Sequence, residues 1–391
     1  MPESTSFGAR LRDIRKRRGL TQQGLAAASG VSLSTIRVLE QGTQDATRLE
    51  TARRLAAALR VPTMSLVTDP GADHADGDTV DLWEPVRRAL LSPPGRDPIP
   101  DAPTVEGVSS ALDAATPLFQ RDQFTDLAEI LPSLLRDADA LGPEGASVRV
   151  RLLQLTGWLL TQTRQYDAAA EALSRSLDQA ADRLEGAATV NTQCWLLLRQ
   201  GQLTAARELA VQWADDTEPR WSRATPAELS TWGWMLLRVS AAAVRDNRPG
   251  EAATALRLAH SAAVALGRET VPRTDFLRTF GPTTVKLKRA ENASVTDQPD
   301  EVLRLAKRIP TTGLRPTSNN FHRHLLDVAN AHARMRDYAS SVRVLSSINA
   351  ASPEWLPNQR YARDILGRVV ARRRKLTPEM RTLADAVRLP L

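Results

Sequence analysis

The sequence predicts an all-α protein in two parts, a small basic helical unit at the N terminus and a long succession of helical hairpins behind it. Three observations carry this. From Thr104 to the end no alternation of apolar and polar residues suggests strands, and apolar residues instead recur three and four apart. Six turns, before Phe124, Tyr166, Leu203, Pro249, Pro299 and Tyr338, divide those patterns in a common register. The first 68 residues hold eleven Arg and Lys against five acids, a surplus of +6 in a chain whose net charge is +7, so residues 69–391 are close to neutral.

A first helix is expected from about Ser6 to Arg18, with Phe7, Leu11 and Ile14 at helical spacing and Gly19 as its stop. Gly19 to Gly42, GLTQQGLAAASGVSLSTIRVLEQG, then reads as two short helices broken at Ser29-Gly30-Val31, with Thr21 and Ser32 as N-caps. In the first, Leu25 and Ala26 face inward while Gln22 and Gln23 sit exposed at the positively polarised start. In the second, Ile36 and Leu39 share one face and leave Leu33, Ser34 and Arg37 on the other. A helix with one buried face and one of small, polar and basic side chains fits the major groove. Arg37 is the strongest candidate for guanine, because no Asn or Gln lies between Ser32 and Glu40 to read adenine.

After Gly42, Thr43 and Gln44 are placed for phosphate contact, although Asp45 beside them opposes it. A helix from about Arg48 to Leu59 carries the stripe Leu49, Ala52, Leu55, Ala56 and Leu59, and a fifth short helix around Thr63 to Val67 closes the unit. The candidate DNA contacts are therefore Gln22, Gln23, Ser32, Leu33, Ser34, Arg37, Thr43 and Gln44.

Polar, glycine and apolar positions fall in register from Phe7-Gly8-Ala9-Arg10-Leu11-Arg12 through Leu20-Thr21-Gln22, Leu25-Ala26, Gly30-Val31-Ser32, Ile36, Leu39-Glu40-Gln41-Gly42 and Leu55-Ala56-Ala57-Ala58-Leu59. Over about residues 6–68 the chain resembles the phage-repressor, or Xre-type, helix-turn-helix family. The resemblance implies a partner, double-stranded DNA, and an ion pair from Arg15 to Glu40 that locks the first helix onto the reading helix. It also implies pairing as a homodimer, with half-sites about one helical turn apart.

Residues 69–103 read as a linker with one short helix. Asp69 to Asp81 has five Asp and no base, and Ser92 to Pro103 has five prolines. Between them Leu82, Trp83, Val86, Leu90 and Leu91 mark a helix around Val80 to Leu91. Beyond the linker each hairpin repeats a pattern. The second helices present Leu127, Ala169, Ala206, Ala252, Val302 and Ser341, and twelve residues earlier the first helices carry the small Ala115, Gly157, Cys194, Ser240, Ala290 and Ala329. Seven residues past each second-helix position stand Leu134, Ser176, Trp213, Ala259, Ile309 and Ile348. By this spacing residues 104–356 resemble a tetratricopeptide-like α-superhelix, with irregular gaps between copies. Residues 357–391 are expected to cap the last hairpin or to mediate dimerisation.

Such a superhelix lines its concave wall with first helices, and the register places Arg151, Gln154, Trp158, Asn191, Trp195, Arg199, Trp234, Arg245, Arg323, Asn330 and Arg334 there. Amides can hold a peptide backbone, arginines a carboxylate, and tryptophans apolar groups, although tryptophans also fill gaps between alanine-rich helices. The candidate ligand contacts are Gln154, Trp158, Asn191, Trp195, Arg199, Trp234, Arg245, Asn330 and Arg334.

No phosphate-binding loop, HExxH, paired-cysteine or GxSxG motif occurs, so neither catalysis nor a cofactor is expected. His322, His324 and His332 read as helix-surface residues. Cys194, the single cysteine, suits a reducing cytoplasm, and the first residues lack the apolar core of a signal peptide. No run of about 20 apolar residues suggests a membrane span. The combined architecture resembles the peptide-pheromone-sensing regulators of Gram-positive bacteria. It implies a DNA-binding transcriptional regulator that senses a peptide or small molecule; a DNA-localised scaffold whose repeats dock another protein is the alternative.

Overall fold

The computed structural model describes residues 7–17, 20–42, 47, 49–59, 63, 66, 81–91, 102–270, 279–310, 318–373 and 375–389. Among these residues there is no strand, only an isolated antiparallel bridge between Thr270 and Phe280. Four helices make the N-terminal unit: α1 (Phe7–Arg17), α2 (Gln22–Ser29), α3 (Leu33–Glu40) and α4 (Leu49–Leu59). Local chemistry sets their limits. Thr21 Oγ1 accepts from the Gly24 amide and Ser32 Oγ from the Thr35 amide, while Gly30 ends α2 in the left-handed region at φ 66°. Phe7, Leu11, Leu25, Val31, Ile36, Leu39, Ala52, Leu55, Ala56, Leu59 and Leu66 form one core. The fifth helix falls largely outside the described residues, as do residues 43–46 and most of the two linker segments.

Next comes α5 (Glu84–Leu91). Far from standing free, it buries Trp83, Val86, Ala89 and Leu90 in the main apolar cluster of the body. Arg87 Nη1 donates to Gln165 Oε1 at 2.6 Å, and Arg175 Nη1 donates to the Leu90 carbonyl at 2.9 Å.

The body consists of six antiparallel pairs: α6 (Val105–Gln120) with α7 (Phe124–Ala140), α8 (Ala146–Gln162) with α9 (Tyr166–Asp178), and α10 (Arg183–Arg199) with α11 (Leu203–Thr217). There follow α12 (Pro226–Arg245) with α13 (Pro249–Leu266), α14 (Pro282–Val295) with α15 (Pro299–Ala306), and α16 (Ser318–Arg334) with α17 (Tyr338–Ala351). Every second helix starts at the residue the turns predict. The small first-helix residues are buried as well, and at Gly157 a Cβ would sit 2.6 Å from the Leu173 side chain on the partner helix.

One turn closes all six pairs. Asp122, Arg164, Gly201, Asn247, Asp297 and Arg336, each two residues before a second helix, have φ between 57° and 76°. The following amide reaches back five residues, as from Gln165 to Leu160 at 2.8 Å and from Asp337 to His332 at 2.9 Å. This is the Schellman stop, in which one left-handed residue satisfies the orphan carbonyls of the first helix and reverses the chain. Five of the six carry a side chain there, which disguises the turn in a search for glycine.

The succession curves until its ends meet. At the α6–α7 turn, Asp122 accepts from Asn319 Nδ2 at 2.7 Å and from Ser352 Oγ at 3.0 Å, and Thr125 donates its amide to Glu354 Oε2 at 2.8 Å. Phe124 and Leu127 share an apolar cluster with Trp355 and Leu356. Two last helices, α18 (Arg360–Val370) and α19 (Pro378–Ala386), add Ile365, Leu366, Val369, Met380 and Leu383 to that cluster.

This closure corrects the placement of two histidines. His322 and His324 are buried, because α16 is covered by neighbours that come from the far end of the chain. His322 Nδ1 lies 3.2 Å from Ser352 Oγ, and burial alone lowers the His324 pKa to about 4. The unfolded chain takes up that proton near pH 6.5, whereas the folded protein resists it until about pH 4. Stability is therefore complete above neutrality and is lost on acidification between these values. We expect a loss of about 2 kcal/mol from pH 7 to pH 5, read from urea midpoints, and His324→Met should flatten that slope.

Candidate DNA-reading face and inner wall

The reading helix is held from behind by charge. Arg15 donates twice to Glu40, Nε to Oε1 at 2.6 Å and Nη2 to Oε2 at 2.8 Å, and its Nη1 donates to the Leu20 carbonyl at 2.8 Å. Burial works to raise the Glu40 pKa, but hydrogen bonds from Arg15 and Gln22 and the charges of Arg15 and Arg12 outweigh it and hold the carboxyl below its ordinary value. Gly8 lets α1 approach α3 closely, since a Cβ there would lie 1.9 Å from the Leu39 carbonyl oxygen. The pair that the resemblance implies is thus present, and it fixes the angle of α3.

Of the predicted reading residues, Gln23, Ser32, Ser34 and Arg37 are exposed and Leu33 is half-buried. Val38 is exposed beside them. Gln22 differs from expectation: it is half-buried and its Nε2 donates to Glu40 Oε2 at 2.8 Å, so its amide braces the ion pair. Ser32 Oγ lies 2.9 Å from Ser34 Oγ and 2.7 Å from Thr35 Oγ1, which orders the first turn of α3. Thr43 and Gln44 lie outside the described residues.

In the body, the predicted wall separates into two environments. Gln154 and Trp158 are packed between helices. Gln154 Nε2 donates to the Glu185 carbonyl at 3.2 Å and to Thr189 Oγ1 at 3.1 Å, and Trp158 sets its ring edge against Phe119 at 4.6 Å. Both are buried, as Asn191 and Trp234 also are, but their partners lie within the helix packing of α8 rather than among the charged side chains of the wall.

The remaining residues do converge. Asn191 Oδ1 accepts from Arg238 Nε at 2.6 Å, and the Arg238 guanidinium stands 5.3 Å from the Trp234 ring centre. Lys288 Nζ lies 5.8 Å from the same ring and 2.8 Å from Glu291 Oε2, whose other oxygen accepts from Arg245 Nη2 at 2.6 Å. Arg199 covers Trp195 at 5.6 Å, and Arg323 covers Tyr361 at 4.6 Å. Two predicted residues are engaged by partners across the body: Arg368 Nη2 donates to Asn330 Oδ1 at 2.6 Å, and Arg334 pairs with Asp297.

Burial and charge compete on this wall. Desolvation pulls Arg238 down to about 10, still protonated at neutral pH. It also raises the Asp327 carboxyl to about 6, against the pull of Arg323. For Glu291 burial again favours the neutral acid, yet Lys288, Arg245 and Arg323 overcome it and keep the carboxyl well below the ordinary range. Cys194 is pushed up to about 12 by burial, so its thiol is inert.

Sequence reasoning missed Arg238, Lys288, Glu291, Asp327 and Tyr361. A signal existed in α12, where Trp234, Arg238 and Arg245 follow at steps of four and seven along one helix face. Lys288 and Glu291 are likewise three apart.

One charge of the reader is felt by the wall. Arg53, on α4, is 5% exposed although charged, and burial lowers its pKa to about 10. The charges it feels include Arg245, which lowers it further, and Asp297, which supports it. Arg245 is thus within charge reach of the reader while bonded to Glu291 on the wall.

The N-terminal geometry is that of a helix-turn-helix DNA-binding domain, and residues 11–66 match the Helix-turn-helix family. The chain carries an Xre-type helix-turn-helix domain at its N terminus. It is similar to the uncharacterized HTH-type transcriptional regulator RghRB of Bacillus subtilis (strain 168), 40% identical over 65 residues. It is also similar to the HTH-type transcriptional repressor RghR of the same organism, 39% identical over 66 residues. These matches cover 17% of this chain, 47% of the first relative and 49% of the second, so about half of each relative lies outside the likeness. Among solved structures, the apo form of the competence regulator ComR from Streptococcus vestibularis aligns over 99% of both chains at 12% identity, with a TM-score of 0.23. That score is too low to argue a common arrangement of the body.

Among the described residues no helix is long and apolar enough to cross a membrane, and no group of His, Cys, Asp and Glu could hold a metal ion.

Proposed function

We propose that this chain is a sequence-specific transcriptional regulator whose helical body binds a peptide or small-molecule signal on its inner wall and thereby changes DNA binding. In this reading residues 1–68 read DNA as a homodimer, the tetratricopeptide-like repeats of residues 104–356 hold the signal, and residues 357–391 close the body. The observation that carries the sensing half is Arg245, which joins the wall through Glu291 and whose charge acts on buried Arg53 of the reader. A ligand that competes for Glu291 or adds charge beside Arg245 changes the electrostatic seat of α4. Such coupling needs only that the ligand bind the two placements of the reader unequally.

Closure of the body favours a small signal over a docked protein. Arg199 and Arg323 lie near enough for their charges to interact, although they stand on the third and the sixth pair of the succession. A wall so enclosed admits a peptide or metabolite more readily than a folded domain.

The reading half is tested by enriching duplexes from a random pool with the full chain and footprinting the winner. Replacing Ser34 and Arg37 together with alanine should weaken that site by about 1–3 kcal/mol with an unchanged melting temperature, because both side chains are exposed. Unchanged footprints would overturn the placement of the reading face. For the sensing half, a low-molecular-weight culture extract should shift DNA affinity of the wild type, and Arg245→Gln should remove that response.

A further inference from the structure

We propose that Arg238, with Asn191 and Lys288 and backed by Trp234, forms a binding subsite for a carboxylate carried on an apolar body. The proposal rests on the reading of the inner wall as a ligand surface and states what chemistry that surface accepts.

Arg238 is 8% exposed, and only its Nε is engaged, by Asn191. Among the described residues no hydrogen bond from either Nη and no carboxylate within 4.0 Å answers the rest of the fork. A guanidinium offers two parallel donors along that edge, the spacing of two carboxylate oxygens.

The acids nearby are committed elsewhere. Glu291 accepts from Arg245 at 2.6 Å and from Lys288 at 2.8 Å, and Asp327 stands 4.0 Å from Arg323. The wall therefore presents Arg238, Arg245, Lys288 and Arg323 against Glu291 and Asp327, a surplus of two positive charges. A nearly buried cation without a carboxylate partner is costly to the fold, and an incoming anion offsets that cost. Water reaches the surface, since the side chains of Lys288, Arg245 and Arg323 are 15%, 23% and 32% exposed.

Two features argue for more than a bare inorganic anion. Trp234 is fully buried beneath both cations and backs them, and half-buried Trp195 on the adjacent helix next to Arg199 supplies apolar surface beside the charge. Asn191 spends its oxygen on Arg238, and its Nδ2 donors make no hydrogen bond among the described residues. An amide donor beside a guanidinium fork suits a ligand with an acceptor next to its carboxylate.

The same chemistry can come from an aliphatic acid or from a peptide C terminus, so the test uses both. Octanoate and N-acetyl-leucyl-leucine, each beside its own primary amide, are titrated calorimetrically into the full chain. At least one acid should bind about tenfold more tightly than its amide, the preference of a charge-assisted fork over a neutral contact. Preference confined to octanoate assigns an aliphatic acid, and preference confined to the dipeptide assigns a peptide terminus. Arg238→Gln should bring acid and amide to parity. Lys288→Gln leaves Glu291 its bond from Arg245, should lower the preference at a smaller cost in melting temperature than Arg238→Gln, and serves if the first variant does not fold.

Equal binding of acid and amide in both series, or no binding of either, overturns the subsite, as does full discrimination by Arg238→Gln. DNA affinity is read in the same titrations. An acid that binds with the stated preference but leaves DNA affinity unchanged supports the subsite and overturns the sensing reading. A culture extract that shifts DNA affinity while neither acid binds does the reverse.

Discussion

Replacing Glu40 with alanine should destabilise the N-terminal domain by about 3–5 kcal/mol, the cost of leaving a buried charge without its partner. The Glu40 side chain is 2% exposed and that of Arg15 is 10% exposed, so water cannot take over the bonds that are lost. Three donors converge on this carboxylate, two from Arg15 and one from Gln22. A domain of this size has little more stability than that to lose. The expected result is a separate early unfolding transition by circular dichroism, with DNA binding abolished and the body's own transition retained. Glu40→Gln keeps the shape and one acceptor oxygen but turns its NH2 toward a donor of Arg15 or Gln22, and should fall between the two. A single transition at the wild-type temperature in Glu40→Ala would show that the pair contributes nothing to the domain.

Gly8→Ala should be nearly as damaging, for a different reason. The added methyl would stand 1.9 Å from the Leu39 carbonyl oxygen and 2.9 Å from its carbon, atoms that cannot rotate away as a side chain does. Either α1 lifts from α3 or the last turn of α3 deforms, and both spoil the Arg15–Glu40 geometry. A cost of about 3 kcal/mol, the upper end for overpacking, is expected, read as a lower urea midpoint for the N-terminal transition. Gly233→Ala is the control. There the methyl meets the Phe280 ring at 2.0 Å in the body, so the body's transition should move while DNA binding by the isolated reading face does not.

Much of the DNA reader was legible because its signals are local. Thr21 and Ser32 cap the helices whose first turns they begin, Gly30 supplies the left-handed stop, and Ile36 and Leu39 show their buried face through spacing alone. Gln22 misled because an exposed-looking amide at a helix start lies, in space, beside a carboxylate 18 residues away. The hairpin tips were legible for the same local reason, and the repeated left-handed residue explains why their register held even though only Gly201 is a glycine.

The proposed inner wall was legible only in part. Asn191, Arg199, Trp234 and Arg245 follow from helical periodicity, but Arg238 acquires meaning from Asn191, 47 residues earlier, and Arg245 from Glu291, 46 residues later. Nor could periodicity show that His322 and His324 would be buried, because their cover includes a turn near Asp122.

The sequence by itself determined the all-α class, the reading helix and the places where each hairpin reverses. All of these depend on capping, backbone stops and side chains within a few residues of one another. Only the tertiary structure decided that the body closes on itself, through contacts such as Thr125 to Glu354 across 229 residues. Those contacts join residues hundreds of positions apart, which no single stretch of chain encodes. That closure gathers the cations of α10, α12, α14 and α16 onto one wall and seats Arg53 of the reader within charge reach of Arg245.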